Sequence, residues 1–182
     1  WFSDADYADK GTHIKWNPAV KTAHDREQIR AAILDGRIDV VATDHAPHTK
    51  EEKSNSYFKA PSGGPLVQHA LVAMLDLVHD GLLPVEKVVD LMAHRVARLF
   101  RMADRGFIRP GMKADLVVVQ PNDPWTVHEG NVMSKCGWSP FQGHTFKSRV
   151  HETWVNGTQV WDGQRITTTH GHHVGERLTF AR

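Results

Sequence analysis

The segment Val41-Ala42-Thr43-Asp44-His45-Ala46-Pro47-His48 sets a carboxylate and two imidazoles at the exit of Ile38 to Thr43, a nearly continuous apolar run rich in β-branched residues. Such a run reads as a strand covered on both faces. A strand end is a rigid mount, and a carboxylate there can ligate a metal and take a proton from water that the metal acidifies. In a β/α barrel the reacting groups lie at that end of the strands. The same spacing also fits a plain role, with Asp44 capping the following turn and His45 and His48 on the surface. On the residues alone both readings stand.

The flanking patterns predict what positions these groups. Ile14 to Trp16 reads as a short strand ending at Asn17-Pro18, since proline disfavours helix for the residue before it, so Asn17 sits at a strand end. Asp25 to Leu34, with Ile29, Ala32 and Ile33 spaced for one face and Asp35-Gly36 as the stop, reads as an amphipathic helix. Strand, helix and strand joined by short connections predict a βαβ unit and a parallel sheet. Thr49 to Gly64 reads as loop, and helices are expected from Pro65 to about His79 and from Pro84 to Phe100. A second character begins at Arg105-Gly106, with a strand at Leu116 to Val119 and a hairpin, Thr153 to Val155 and Gln159 to Trp161, about an Asn156-Gly157 turn. The fold class is α/β in two parts, 1–104 and 105–182.

A formal net charge of +1 and the lack of a basic run with interleaved aromatics argue against a nucleic-acid partner. Cys136 is the only cysteine, which excludes an internal disulfide and a cysteine-based zinc cage within one chain and suits a reducing, cytoplasmic setting. It reads as a small packing residue. The apolar stretch Leu66 to Val78 is broken by Gln68, His69 and Asp76, so no membrane partner is expected. The chain opens on Trp1 and runs without a start signal, which predicts residues upstream.

VATDHAPHT resembles the strand-eight motif of dihydroorotases. Other segments match that family in the expected order. Ile14 to Pro18 resembles the strand-seven segment whose Asn contacts substrate, and Ala60 to Gly63 the substrate-contacting turn. Gly106 to Gly111 through Ala114 to Val118, with Thr153 to Trp161, resembles the β-module. The β-module pattern is shared with allantoinases and dihydropyrimidinases, whereas His48, four residues after Asp44, points to dihydroorotase itself. Met92 to Ala97 departs from the pattern, since many relatives carry an Asn-Pro pair there.

The resemblance implies the C-terminal part of an amidohydrolase-type (β/α)8 TIM barrel over 1–104, with its active-site strand ends, and a small β-sandwich module and tail over 105–182. It implies that Asp44 binds metal and acts as general base and then acid. Asn17 and His48 would hold the substrate, and Ser62 and Gly63 would offer backbone groups to the ring. The implied cofactor is Zn2+, one or two ions, whose other ligands lie before strand seven. The implied reaction interconverts dihydroorotate and N-carbamoyl-L-aspartate in pyrimidine synthesis, with room for a homo-oligomer. A barrel needs eight strands and about 250 residues. This sequence supplies the last two or three, so the chain alone is expected neither to close a barrel nor to be active, and to be poorly soluble without its N-terminal complement. His170 and His172 have the spacing of a ligand pair but read as tail histidines, and Lys15 reads as an ordinary paired lysine. Two alternatives are an allantoinase- or hydantoinase-type cyclic amidase and a non-catalytic dihydroorotase-like structural partner.

Overall fold

The computed structural model describes residues 1–168 and 174–181, so the His170 and His172 reading lies outside the described residues. In chain order the helices are α1 (Tyr7–Lys10), α2 (Ala23–Asp35), α3 (Lys50–Lys53), α4 (Ala70–His79), α5 (Val85–Val89) and α6 (Arg95–Leu99). The strands are β1 (Leu116–Gln120), β2 (Trp125–Thr126), β3 (Thr145–Phe146), β4 (Arg149–Val155) and β5 (Thr158–Trp161). The chain is α/β and divides into two compact units, 1–74 with 125–146, and 75–124 with 147–182. Among the described residues no helix is long and apolar enough to cross a membrane.

In the first unit, α2 begins where its sequence says it should. Thr22 accepts the Asp25 N–H at 3.2 Å while Asp25 accepts the Thr22 N–H at 3.0 Å, and Gly36 ends the helix in the left-handed conformation. An aromatic core gathers Trp1, Trp125, Phe141 and Phe146 around His69, whose ring is fully buried. Burial pushes the His69 pKa down to about 4. Its Nδ1 lies 3.2 Å from the Ser139 hydroxyl, while Nε2 has no hydrogen-bond partner among the described residues.

The two expected strands of this unit differ from what is observed. Gly11–Ile14 is a 3-10 helix, and Lys15 to Asn17 joins no ladder among the described residues; the Lys15 carbonyl accepts the Gly63 N–H at 3.0 Å. Residues 38–43 form no strand either, since a strand needs a neighbour to complete its ladder and none of the described residues supplies one. They are also not covered on both faces, Asp39 and Ala42 being exposed. Their parallel pairing is reduced to a bridge between His45 and Gly64. The expected parallel sheet is thus absent from the described residues.

In the second unit, β1, β4 and β5 form an antiparallel sheet in the order β1-β4-β5. The β4–β5 hairpin turns at Asn156 (φ 48°) and Gly157 (φ 79°), the left-handed pair that an Asn-Gly turn requires. Arg105 is buried and donates to Asp115 at 2.6 Å, to Asp104 at 2.9 Å and to Asn156 Oδ1 at 2.7 Å, which joins the lead into β1 to the hairpin. α5 and α6 are linked by a π-helical turn, Asp90–His94. Val88, Leu91 and Ala97 are the buried face of this run.

Candidate active site

A cavity of about 250 Å3 in the first unit is lined by Trp16, Asn17, Pro18, Thr43, Asp44, Ala46, Ser62, Gly63 and Leu66. Three separate stretches of chain therefore meet, and they bring four expected site residues, Asn17, Asp44, Ser62 and Gly63, to one surface. Trp16, Thr43 and Leu66 were not foreseen. They are apolar or small residues next to the polar ones, and no spacing rule marks them.

Asp44 sits at the end of the 38–43 run with φ 45°, a left-handed backbone that Asp tolerates better than most residues. Among the described residues nothing donates to its carboxylate, and the side chain is exposed on the cavity lining. The plain role in which Asp44 caps the following turn is therefore not the one observed. His45 does the tying instead: its Nδ1 accepts the Leu66 and Val67 N–H groups at 3.1 and 3.2 Å, just ahead of α4.

His48 is not part of the cavity lining. Its Nε2 donates to the Ser62 carbonyl at 3.1 Å, and its Nδ1 lies 3.6 Å from Glu52. The His48 carbonyl accepts the Trp138 indole N–H at 2.7 Å. The ring thus stands behind the turn that carries Ser62 and Gly63. That turn requires glycine: at Gly63 (φ 138°) an added Cβ would lie 2.5 Å from the Ala46 carbonyl oxygen.

Two lysines support the same turn. Lys15 donates from Nζ to the Tyr57 and Ala60 carbonyls, both at 2.6 Å. Lys53, in the last turn of α3, is completely buried and donates to the Pro61 and Gly63 carbonyls, both at 2.9 Å. Burial, reinforced by the Lys15 charge, pushes its pKa down to about 8. In sequence the stretch from Thr49 to Gly64 reads as loop. The available signal was the Thr49-x-x-Glu52 capping box, which the structure closes with bonds of 3.2 and 2.8 Å.

Asp44 offers one hard oxygen ligand, but among the described residues no three His, Cys, Asp or Glu side chains converge as a metal site. The residues present therefore do not by themselves fit a zinc ion. What they offer is an open carboxylate, an amide side chain and backbone polar groups around a small cavity, a set suited to moving a proton beside a polar heterocycle.

The model of the Amidohydrolase family matches residues 53–161. The chain is 42% identical over 174 residues to the dihydroorotase of Halobacterium salinarum, covering 96% of this chain and 41% of that protein. It is 36% identical over 161 residues to the dihydroorotase of Clostridioides difficile, covering 88% and 38%. Among solved structures, the L-hydantoinase (dihydropyrimidinase) from Arthrobacter aurescens superposes with a TM-score of 0.90 at 26% identity, over 98% of this chain and 40% of that one. The chain spans about two-fifths of the length of the relatives it matches.

Proposed function

This chain belongs to the amidohydrolase family, and on that premise we propose that the enzyme it contributes to is a dihydroorotase, hydrolysing dihydroorotate reversibly to N-carbamoyl-L-aspartate. The observation that carries the reading is the meeting of Asn17, Asp44, Ser62 and Gly63 on one cavity. Asp44 is the proton carrier. Water adds to the ring carbonyl carbon and gives a proton to the Asp44 carboxylate. The bond from that carbon to the ring nitrogen breaks, and Asp44 returns the proton to the departing nitrogen. In ring closure the same carboxylate runs the transfers backwards. Asn17 and His48 hold the substrate, while Ser62 and Gly63 present backbone groups to its ring.

In this reading residues 1–104 are the closing part of a (β/α)8 barrel and 105–182 a β-sandwich module with its tail. The cofactor is zinc, with Asp44 as one ligand and the others from outside these residues. The lone Cys136 suits a cytoplasmic enzyme. The superposition on L-hydantoinase supports a second reading, a hydantoin- or dihydropyrimidine-opening enzyme. Ring opening of dihydroorotate, hydantoin and dihydrouracil by the full-length enzyme separates the two. Dihydroorotate is the expected preferred substrate, and a preference for hydantoin would overturn the assignment.

A further inference from the structure

The turn from Pro61 to Gly64 is held almost entirely through its carbonyl oxygens. Pro61 and Gly63 accept from the Lys53 ammonium, Ser62 accepts from His48 Nε2, and Gly64 accepts from the Ala46 N–H at 3.1 Å. Pro61 has no N–H, and the Gly63 N–H is spent on the Lys15 carbonyl, which Lys53 also approaches at 3.4 Å. Among the described residues the Ser62 N–H has no partner, and Ser62 lines the cavity. A backbone donor left over on a cavity wall is a group that a ligand can satisfy.

Lys53 is an uncommon choice for this task. It is buried with no carboxylate partner among the described residues, its main-chain carbonyl accepts from the Thr12 hydroxyl, and its ammonium stands over the Trp138 ring at 5.6 Å. Burying a long cation costs free energy that hydrogen bonds must offset, and three carbonyls and a ring face do so here. An apolar side chain would fill the same space without that cost but could not gather diverging carbonyls onto one point.

We propose that Lys53 is a positioning residue of the substrate site: by drawing the Pro61 and Gly63 carbonyls together it fixes the turn so that the Ser62 N–H between them is presented to the cyclic substrate. This rests on the dihydroorotase reading above, and Lys53 itself touches no reacting atom.

The test uses the full-length enzyme with Lys53→Met, an unbranched side chain one atom shorter that removes the donors. The KM for dihydroorotate is expected to rise about tenfold, with kcat changed less than about threefold. Amide exchange is expected to quicken across residues 60–64 and to stay unchanged in α4. A KM within twofold of the parent together with parental exchange at 60–64 overturns the proposal. If the parent opens no dihydroorotate, the functional reading fails, while the exchange comparison still decides for or against Lys53. Should Lys53→Met not fold, Lys53→Gln, a shorter neutral donor, is read in the same two ways and with the same overturning result.

Discussion

The His48 ring donates from Nε2 to the Ser62 carbonyl across 3.1 Å, so the segment that carries Asp44 and the turn that carries Gly63 are one assembly and not two neighbouring loops. Glu52, 3.6 Å from Nδ1, flanks the ring on its other side. Replacing His48 with Ala removes the tie together with the proposed substrate contact. The expected result is a KM for dihydroorotate raised more than about tenfold and a stability loss of about 1 kcal/mol, the usual worth of such a bond. Steady-state kinetics and a urea transition measure the two effects.

Asp44→Asn keeps the shape of the side chain and its tolerance for a φ of 45°, but removes the base. Activity is expected to fall by about 10²- to 10⁴-fold with an unchanged urea midpoint. Asp44→Val would lower stability as well, because a β-branched residue resists that backbone. An Asn variant retaining more than a tenth of the activity would remove Asp44 from the proton-transfer role.

Gly63→Ala is expected to cost about 1–3 kcal/mol and to weaken substrate binding, since its φ of 138° suits glycine alone and the new methyl would press on the Ala46 carbonyl oxygen. Calorimetry and KM read the two consequences. A fully stable variant with parental KM would show that the turn adapts.

Burial of His69 is expected to make the protein acid-sensitive. Its folded pKa of about 4 lies below the ordinary value of 6.5, so the unfolded chain takes up a proton that the folded one refuses. The contribution of neutral His69 is complete above pH 6.5 and is lost as pH falls towards 4, at up to about 1.4 kcal/mol per pH unit. His69→Phe keeps a ring in the aromatic stack and is expected to flatten that slope in urea titrations between pH 6.5 and 4.

Arg105→Met leaves Asp115, Asp104 and Asn156 without their shared buried donor. The two carboxylates are partly exposed, so a loss of about 2–3 kcal/mol is expected, at the lower end for a broken buried pair. Thermal melts test it, and kinetic constants should hold.

The sequence by itself determined what local rules control. Helix α2 is bounded by its Thr22 cap and Gly36, the β4–β5 hairpin turns at Asn156-Gly157, and the residue types at Asn17 and Asp44 announced a polar site, to which the family resemblance added Ser62 and Gly63. These depend on contacts a few residues long. Only the tertiary structure decided that those four residues share one cavity, that His48 stands behind it, and that His45, not Asp44, ties down the next segment. Ladders and buried cations are likewise non-local: residues 38–43 have strand chemistry yet find no neighbour to pair with among the described residues, and the place of Lys53 is set by carbonyls eight and ten residues further along the chain. Hydrophobic patterning records which side chains avoid water, but a partner distant in sequence leaves no mark on it.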